Sequence, residues 1–261
     1  MTILDRLADS ARERTEAAKK RVPAEKLRDL ACTLPRGGFE FEKALRKEGI
    51  SFICECKKAS PSKGLIDPVF PYLEIAREYE AAGADCISVL TEPTQFLGID
   101  RYLKEIAAAV SVPCLRKDFT VDPYMIWEAK VLGASAVLLI CSILTEREIR
   151  EYLGICDQLG LSALVEAHDE TEVKTALAAG ARVIGVNNRN LRDFTVDTEN
   201  SRLLRELIPR DVLFVSESGV RNAEDVQVLR GIGADAVLVG EALMRAPDKQ
   251  AKLRELRGDI K

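Results

Sequence analysis

The chain has 261 residues, 47% of them hydrophobic and 31% charged, enough for one large core or two small ones. A net charge of −4 argues against a nucleic-acid-binding surface. The longest apolar run, Ala134 to Leu144, is shorter than the about 20 residues a membrane span needs, so no membrane partner is expected.

The opening Met1-Thr2-Ile3-Leu4-Asp5-Arg6-Leu7 runs straight into charged sequence and reads as no signal peptide. Ile3, Leu4, Leu7 and Ala8 form an apolar stripe at helical spacing, which predicts a helix packed on whatever follows. Residues 1–48 are read as a helical extension and residues 49–261 as the body of the protein. That body opens with Ser51-Phe52-Ile53-Cys54-Glu55-Cys56-Lys57, then Lys58-Ala59-Ser60-Pro61-Ser62-Lys63-Gly64. Side chains alternate along a strand, so Glu55 and Lys57 share a face with Ile53, and Phe52, Cys54 and Cys56 take the other. A carboxylate and an ammonium on the inward face of a buried strand are costly unless paired or used. The loop after them is read as a mobile cover for a substrate.

One pattern then recurs: Ala81–Leu90, Val131–Ile140, Ala178–Asn187 and Gly231–Gly240 each pass from a helix end through a glycine into a β-rich apolar run. Glycines 83, 133, 180 and 233 are spaced for two strand-helix units per repeat. The intervening strands are Val112–Lys117, Leu161–Glu166 and Val212–Glu217, so the first strand makes eight. Predicted helices lie between them at Pro71–Ala82, Asp100–Ala109, Pro123–Leu132, Glu146–Leu159, Glu170–Ala179, Glu199–Leu207, Ala223–Arg230 and from Glu241 onward. Eight alternating strands and helices with near-continuous apolar strands predict a closed (β/α)8 TIM barrel. An open doubly wound sheet is the competitor, but the turn after its first strand would carry Gly-x-Gly-x-x-Gly.

In such a barrel the chemistry sits at the carboxyl ends of the strands. The strand bodies here are apolar, and ionisable residues collect at their ends: Glu55 and Lys57, Glu92, Lys117 and Asp118, Glu166, Arg189, Glu217 and Glu241. Any one alone reads as a solvated loop charge; together they predict a polar mouth. Ser218-Gly219 and Gly240 each precede a helix and suit a phosphate, with Asn222 as the N-cap and Asp225 three residues on. Seven cysteines with no Cys-x-x-Cys pair read as buried hydrophobes in a reducing, cytoplasmic compartment. The single histidine, His168, is read as a surface residue, and Trp127 as part of the core. One histidine leaves little for a zinc site or a Ser-His-Asp triad, so no metal is expected.

The stretches ICECKKASPSKG, LRKDFTVDPYMIWEA, LVEAHDETE, VIGVNNRNL, VSESGV and VLVGEALM resemble the indole-3-glycerol-phosphate synthase family of tryptophan biosynthesis. The resemblance implies a lyase that closes the ring of 1-(2-carboxyphenylamino)-1-deoxyribulose 5-phosphate with loss of CO2 and water, without cofactor or metal. It implies Lys117 as general acid, Glu166 as acid/base for the loss of water, and Glu55 and Asn187 as residues that orient the reacting portion. Lys57 and Arg189 would lie near the substrate's carboxylate and phosphate. Ser60, Glu217, Ser218, Gly219, Gly240 and Glu241 would contact substrate or phosphate, Glu241 through its backbone, with Phe119 and Leu138 against the anthranilate ring. The partner is then a small phosphorylated substrate, and a monomer is expected. The rival within one pathway is phosphoribosylanthranilate isomerase, which would need a cysteine base after the first strand, where this chain has Lys57.

Overall fold

The computed structural model of the protein describes residues 2–190 and 194–258. Its main strands are β1 (Ser51–Cys56), β2 (Cys86–Leu90), β3 (Cys114–Lys117), β4 (Ala136–Ile140), β5 (Ser162–Ala167), β6 (Val183–Asn187), β7 (Leu213–Glu217) and β8 (Ala236–Val239). Each pairs in parallel with the next, and β1 pairs with both β2 and β8, which closes an eight-stranded barrel. Ile53, Leu115, Leu138, Leu164, Val215 and Leu238 fill the interior, while Phe52, Cys54 and Cys56 pack into the layer between strands and helices. Alternation along a strand requires this division. Glycines 83, 133, 180 and 233 all have positive φ, between 78° and 93°, where an L side chain would be strained.

The helices are α1 (Ile3–Arg21), α2 (Ala24–Thr33), α3 (Glu40–Leu45), α4 (Tyr72–Ala81), α5 (Asp100–Ala109), α6 (Pro123–Val131), α7 (Glu146–Leu159), α8 (Glu170–Ala179), α9 (Glu199–Arg205), α10 (Ala223–Gly231), α11 (Glu241–Met244) and α12 (Lys249–Arg257). The last two correct the reading of one helix from Glu241 onward. Pro247 lies between them, where it supplies no amide donor and disfavours helical backbone at Ala246. Asp248 then caps α12 by accepting from the Ala251 amide at 2.8 Å.

The extension holds three helices where the apolar stripe predicted one. Thr2 and Asp5 form a capping box that starts α1. That helix crosses the carboxyl ends of the strands, anchored by Arg14 to Asp118 (2.8 Å) and Lys19 to Asp122 (2.7 Å). By contrast, α3 plugs the opposite end. Its Phe41 and Leu45 are fully buried in the interior cluster, and Glu42 pairs with Arg182 at 2.9 Å beside the start of β6. Trp127 packs, partly buried, between the main core and the cluster that holds Leu27 of α2. Among the described residues no helix is long and apolar enough to cross a membrane.

Candidate active site

The carboxyl ends of the strands surround a cavity of about 650 Å³. It brings together Glu55, Lys57, Ser60, Lys117, Phe119, Leu138, Glu166, Asn187, Arg189, Glu217, Ser218, Gly219, Gly240 and Glu241, the fourteen residues that the resemblance assigns to catalysis or substrate contact. At its base the Lys117 ammonium donates to Glu166 Oε2 at 3.0 Å and to Glu217 Oε2 at 3.1 Å. These side chains come from β3, β5 and β7, alternate strands whose inward positions fall in one layer. Beside them Lys57 donates to Glu55 Oε1 at 2.5 Å. This pair explains Gly240: a Cβ there would stand 2.5 Å from Glu55 Oε1 and 3.0 Å from Lys57 Nζ.

Electrostatics follows from this clustering. Burial alone would lower the Lys117 pKa, but the carboxylates of Glu166, Glu217 and Glu55 outweigh it and raise it, so the side chain is an ammonium at neutral pH. The two carboxylates that share it are pushed apart. Burial raises both; Lys117 and His168 overcome this at Glu166 and hold it far below the usual range, while Glu217, further raised by the charge of Glu166, is pushed up to about 7.

At one side of the cavity the backbone turns at Ser218 (φ 67°) and Gly219 (φ 98°), just before α10. Asn188 holds this turn from behind, donating to Ser216 Oγ and to the Ser218 carbonyl, each at 3.0 Å. Asn222 and Asp225 form the full capping box on α10. The Glu241 carboxylate is ringed by cations: Lys63 and Arg245 at 3.3 Å and Arg189 at 4.0 Å. These neighbours offset the negative charge of the Glu241 carboxylate.

The opposite wall is apolar, built from Phe119, Leu138 and Ile140 with Phe96, whose ring centroid lies 6.3 Å from that of Phe119. Ile3, Leu4 and Leu7 of α1 cover it. The sequence flagged the α1 stripe but not its place over the mouth. Ile140 was within reach, because it shares the inward face of β4 with Leu138 two residues away. Phe96 and Arg245 carried no strand-end signal, although Arg245 lies one helical turn beyond Glu241.

Three polar strand-end residues, of which Asp118 also borders the cavity, hold loops and a helix in place. Glu92 accepts from the backbone amides of Thr94, Gln95 and Phe96 at 2.7–3.0 Å. Asp118 takes Arg14 and Thr91, and Asn188 serves Ser218 as described. The loop after β1 forms a small hairpin in which Ala59 and Ser60 pair with Leu65 and Gly64. His168 corrects the surface reading: its side chain is 18% exposed, with Nδ1 3.1 Å from Glu172 Oε2 and Nε2 3.4 Å from Glu166 Oε1. Both partners lie close in sequence, but only the turn into α8 brings them onto opposite sides of the ring.

The family model for indole-3-glycerol phosphate synthase matches residues 4–256. A protein of that name from Ruminiclostridium cellulolyticum is 57% identical over 98% of this chain and 99% of its own length. Another from Endomicrobium trichonymphae is 51% identical over 98% and 99%. Among solved structures, a chain of the tryptophan synthase α2β2 complex from Pyrococcus furiosus aligns with a TM-score of 0.60 at 17% identity, over 80% of this chain and 98% of that one, a likeness of fold. The match along nearly the whole length at this identity fixes the kinship: the chain belongs to the indole-3-glycerol phosphate synthase family.

Proposed function

We propose that this cavity closes the five-membered ring of 1-(2-carboxyphenylamino)-1-deoxyribulose 5-phosphate to give indole-3-glycerol phosphate, the ring-closing decarboxylation of its family. The observation that carries the assignment of roles is the Lys117 ammonium held by two buried carboxylates at the base of the mouth. The ring carbon that bears the carboxylate attacks the ribulose carbonyl, and Lys117 gives its proton to the carbonyl oxygen. CO2 then leaves and restores the aromatic ring. The new hydroxyl departs as water with an added proton, while Glu166 takes a proton from the substrate. Charge balance requires one proton from solvent per turnover, because an anionic carboxylate leaves as neutral CO2.

Cation-rich surroundings support an anionic substrate. Lys57, Arg189 and Lys63 face the cavity, and the Ser218-Gly219 turn before α10 suits the phosphate. Glu55 and Asn187 orient the reacting portion, and Phe119 and Leu138 stack on the anthranilate ring. No cofactor enters this chemistry, because every step is a proton transfer or a bond cleavage within the substrate. Residues 1–48 act as an extension of a single catalytic barrel, residues 49–261. The protein is proposed to act as a monomer and to bind no nucleic acid, the latter in keeping with its net charge of −4. Six of the seven cysteines are buried free thiols, which supports a cytoplasmic setting.

The test is to mix the protein with the carboxyphenylamino-ribulose phosphate and follow indole-glycerol phosphate by its fluorescence. Product is expected from the parent and to form far more slowly with Lys117→Ala at equal concentration. Absence of product from the folded parent would overturn the reading.

A further inference from the structure

His168 is the only histidine in the chain and lies at the start of the turn after β5, outside the cavity but against its wall. Glu172 of α8 fixes the ring from one side: it takes Nδ1 at 3.1 Å and the His168 amide at 2.7 Å, and is itself held by Ser142 Oγ at 2.5 Å. With Nδ1–H directed at a carboxylate, the other nitrogen is left for Glu166. Nε2 is buried, 3.4 Å from Glu166 Oε1, an ion-pair contact if the ring is protonated, and among the described residues it makes no hydrogen bond.

The two carboxylates on Lys117 therefore differ in their second oxygen. Both spend Oε2 on the ammonium. The Glu166 carboxylate also takes a hydrogen bond from the Asn187 side chain and has an imidazole 3.4 Å from Oε1, whereas Glu217 Oε1 is buried with no hydrogen-bond partner among the described residues. A buried anionic oxygen with no donor is costly, and protonation is its cheapest relief. Environments that push two neighbouring carboxylates apart divide acid from base.

We propose that His168 is a positioning residue for Glu166: clamped by Glu172, its imidazolium holds Glu166 as the ionised carboxylate and leaves the transferable proton of the Lys117 pair on Glu217. This rests on the reading that Glu166 serves the dehydration. The Glu217 carboxyl then gives its proton to the departing hydroxyl, and the Glu166 carboxylate takes one from the substrate. Transfer of that proton from Glu166 back to Glu217 by way of Lys117 resets the pair, and Lys117 regains from solvent the proton it gave in ring closure.

The groups that face the ring agree in sign. Glu166 of β5, Glu172 of α8 and Glu217 of β7 are acidic, Asp169 follows in the same turn, and the Cys141 thiol and Ser142 hydroxyl come from the turn after β4. Of the cations, Lys117 contacts Glu166 at 3.0 Å, and Arg189 lines a second cavity together with His168. Burial lowers the His168 pKa, but the Glu172 bond and the charges of Glu166, Glu172 and Glu217 outweigh it, so the net shift is upward from 6.5.

A lone histidine makes the test direct. With 15N-histidine incorporated, the imidazole signals belong to His168 and are titrated by NMR in the full-length parent and in Glu166→Gln. The parent is expected to titrate above the ordinary histidine value, and Glu166→Gln to lower that value by about one unit or more. A histidine that merely braces α8 through Glu172 would not move. In kinetics, His168→Asn is expected to lower kcat about tenfold with KM within about twofold. An unshifted titration in Glu166→Gln, or an unchanged kcat in His168→Asn, overturns the proposal. If His168→Asn fails to fold, the titration decides alone. Normal turnover by Glu166→Gln would instead defeat the assignment of Glu166, a different result from an unshifted histidine.

Discussion

Two buried acidic side chains hold the Lys117 ammonium at 3.0 and 3.1 Å, which keeps it protonated as the general-acid role proposed for it requires. Its main effect then lies in the transition state. Lys117→Ala is expected to lower kcat by about 10²- to 10⁴-fold and to leave substrate affinity within about tenfold, measured by steady-state kinetics and equilibrium binding. Glu217 carries a stability consequence. Its pKa is raised from 4.5 to about 7 on folding, mainly by burial, so the folded state is favoured below 4.5 and loses that advantage as pH rises through 7. Glu217→Gln removes the titration. Melting temperatures of parent and variant are expected to converge toward the variant's favour between pH 4.5 and 7, and a constant difference would contradict the assignment. Gly240 was read from the sequence as leaving room for phosphate, yet the space above it holds the Glu55–Lys57 pair. Gly240→Ala is expected to displace that pair and lower kcat while the melting temperature changes little. An unaffected kcat would show that the pair tolerates the shift.

At the scale of elements, α1 turns an open barrel mouth into a cavity. Leu7, 4% exposed, and Ala11 pack with Phe119, Met125 and Leu138, and the Arg14–Asp118 pair fixes the helix to the turn after β3. Leu7→Ala is expected to cost about 2 to 5 kcal/mol of stability, as a large-to-small change in a packed core does. It is also expected to raise KM, because Leu7 roofs the apolar wall; chemical denaturation and kinetics check the two effects separately. The stripe Ile3, Leu4, Leu7 and Ala8 made this helix legible, but periodicity reports which face is buried and not what it is buried against. For the same reason α3 was missed as a plug: six residues are too few for a periodic signal. The hairpin at Ala59–Leu65 likewise depends on a pairing of two-residue strands that no local pattern announces.

At the scale of the whole molecule, the barrel was the most legible feature, because four glycine-marked repeats and eight apolar runs leave few ways to bury the strands. The site was legible as a set of positions, since strand ends in this fold converge on one mouth. What the sequence could not assign was which strand-end charges turn inward. Lys117, Glu166 and Glu217 do, whereas Glu92 and Asp118 are spent on backbone amides and on Arg14, choices made by loops and by a helix far away in sequence. His168 escaped for a related reason, since its place between Glu166 and Glu172 is set by the turn into α8.

The central claim is that Glu166 moves the proton in the dehydration that follows ring closure and loss of CO2. Rapid-quench analysis of Glu166→Gln, which keeps shape and hydrogen-bonding reach while removing the titrating group, tests it most directly. Substrate is expected to bind nearly normally, CO2 to be released, and a ring-closed, still hydroxylated intermediate to accumulate ahead of a slow appearance of indole-glycerol phosphate. Turnover at the parental rate with no accumulated intermediate would contradict the claim and pass the carboxylate's role to Glu55 or Glu217.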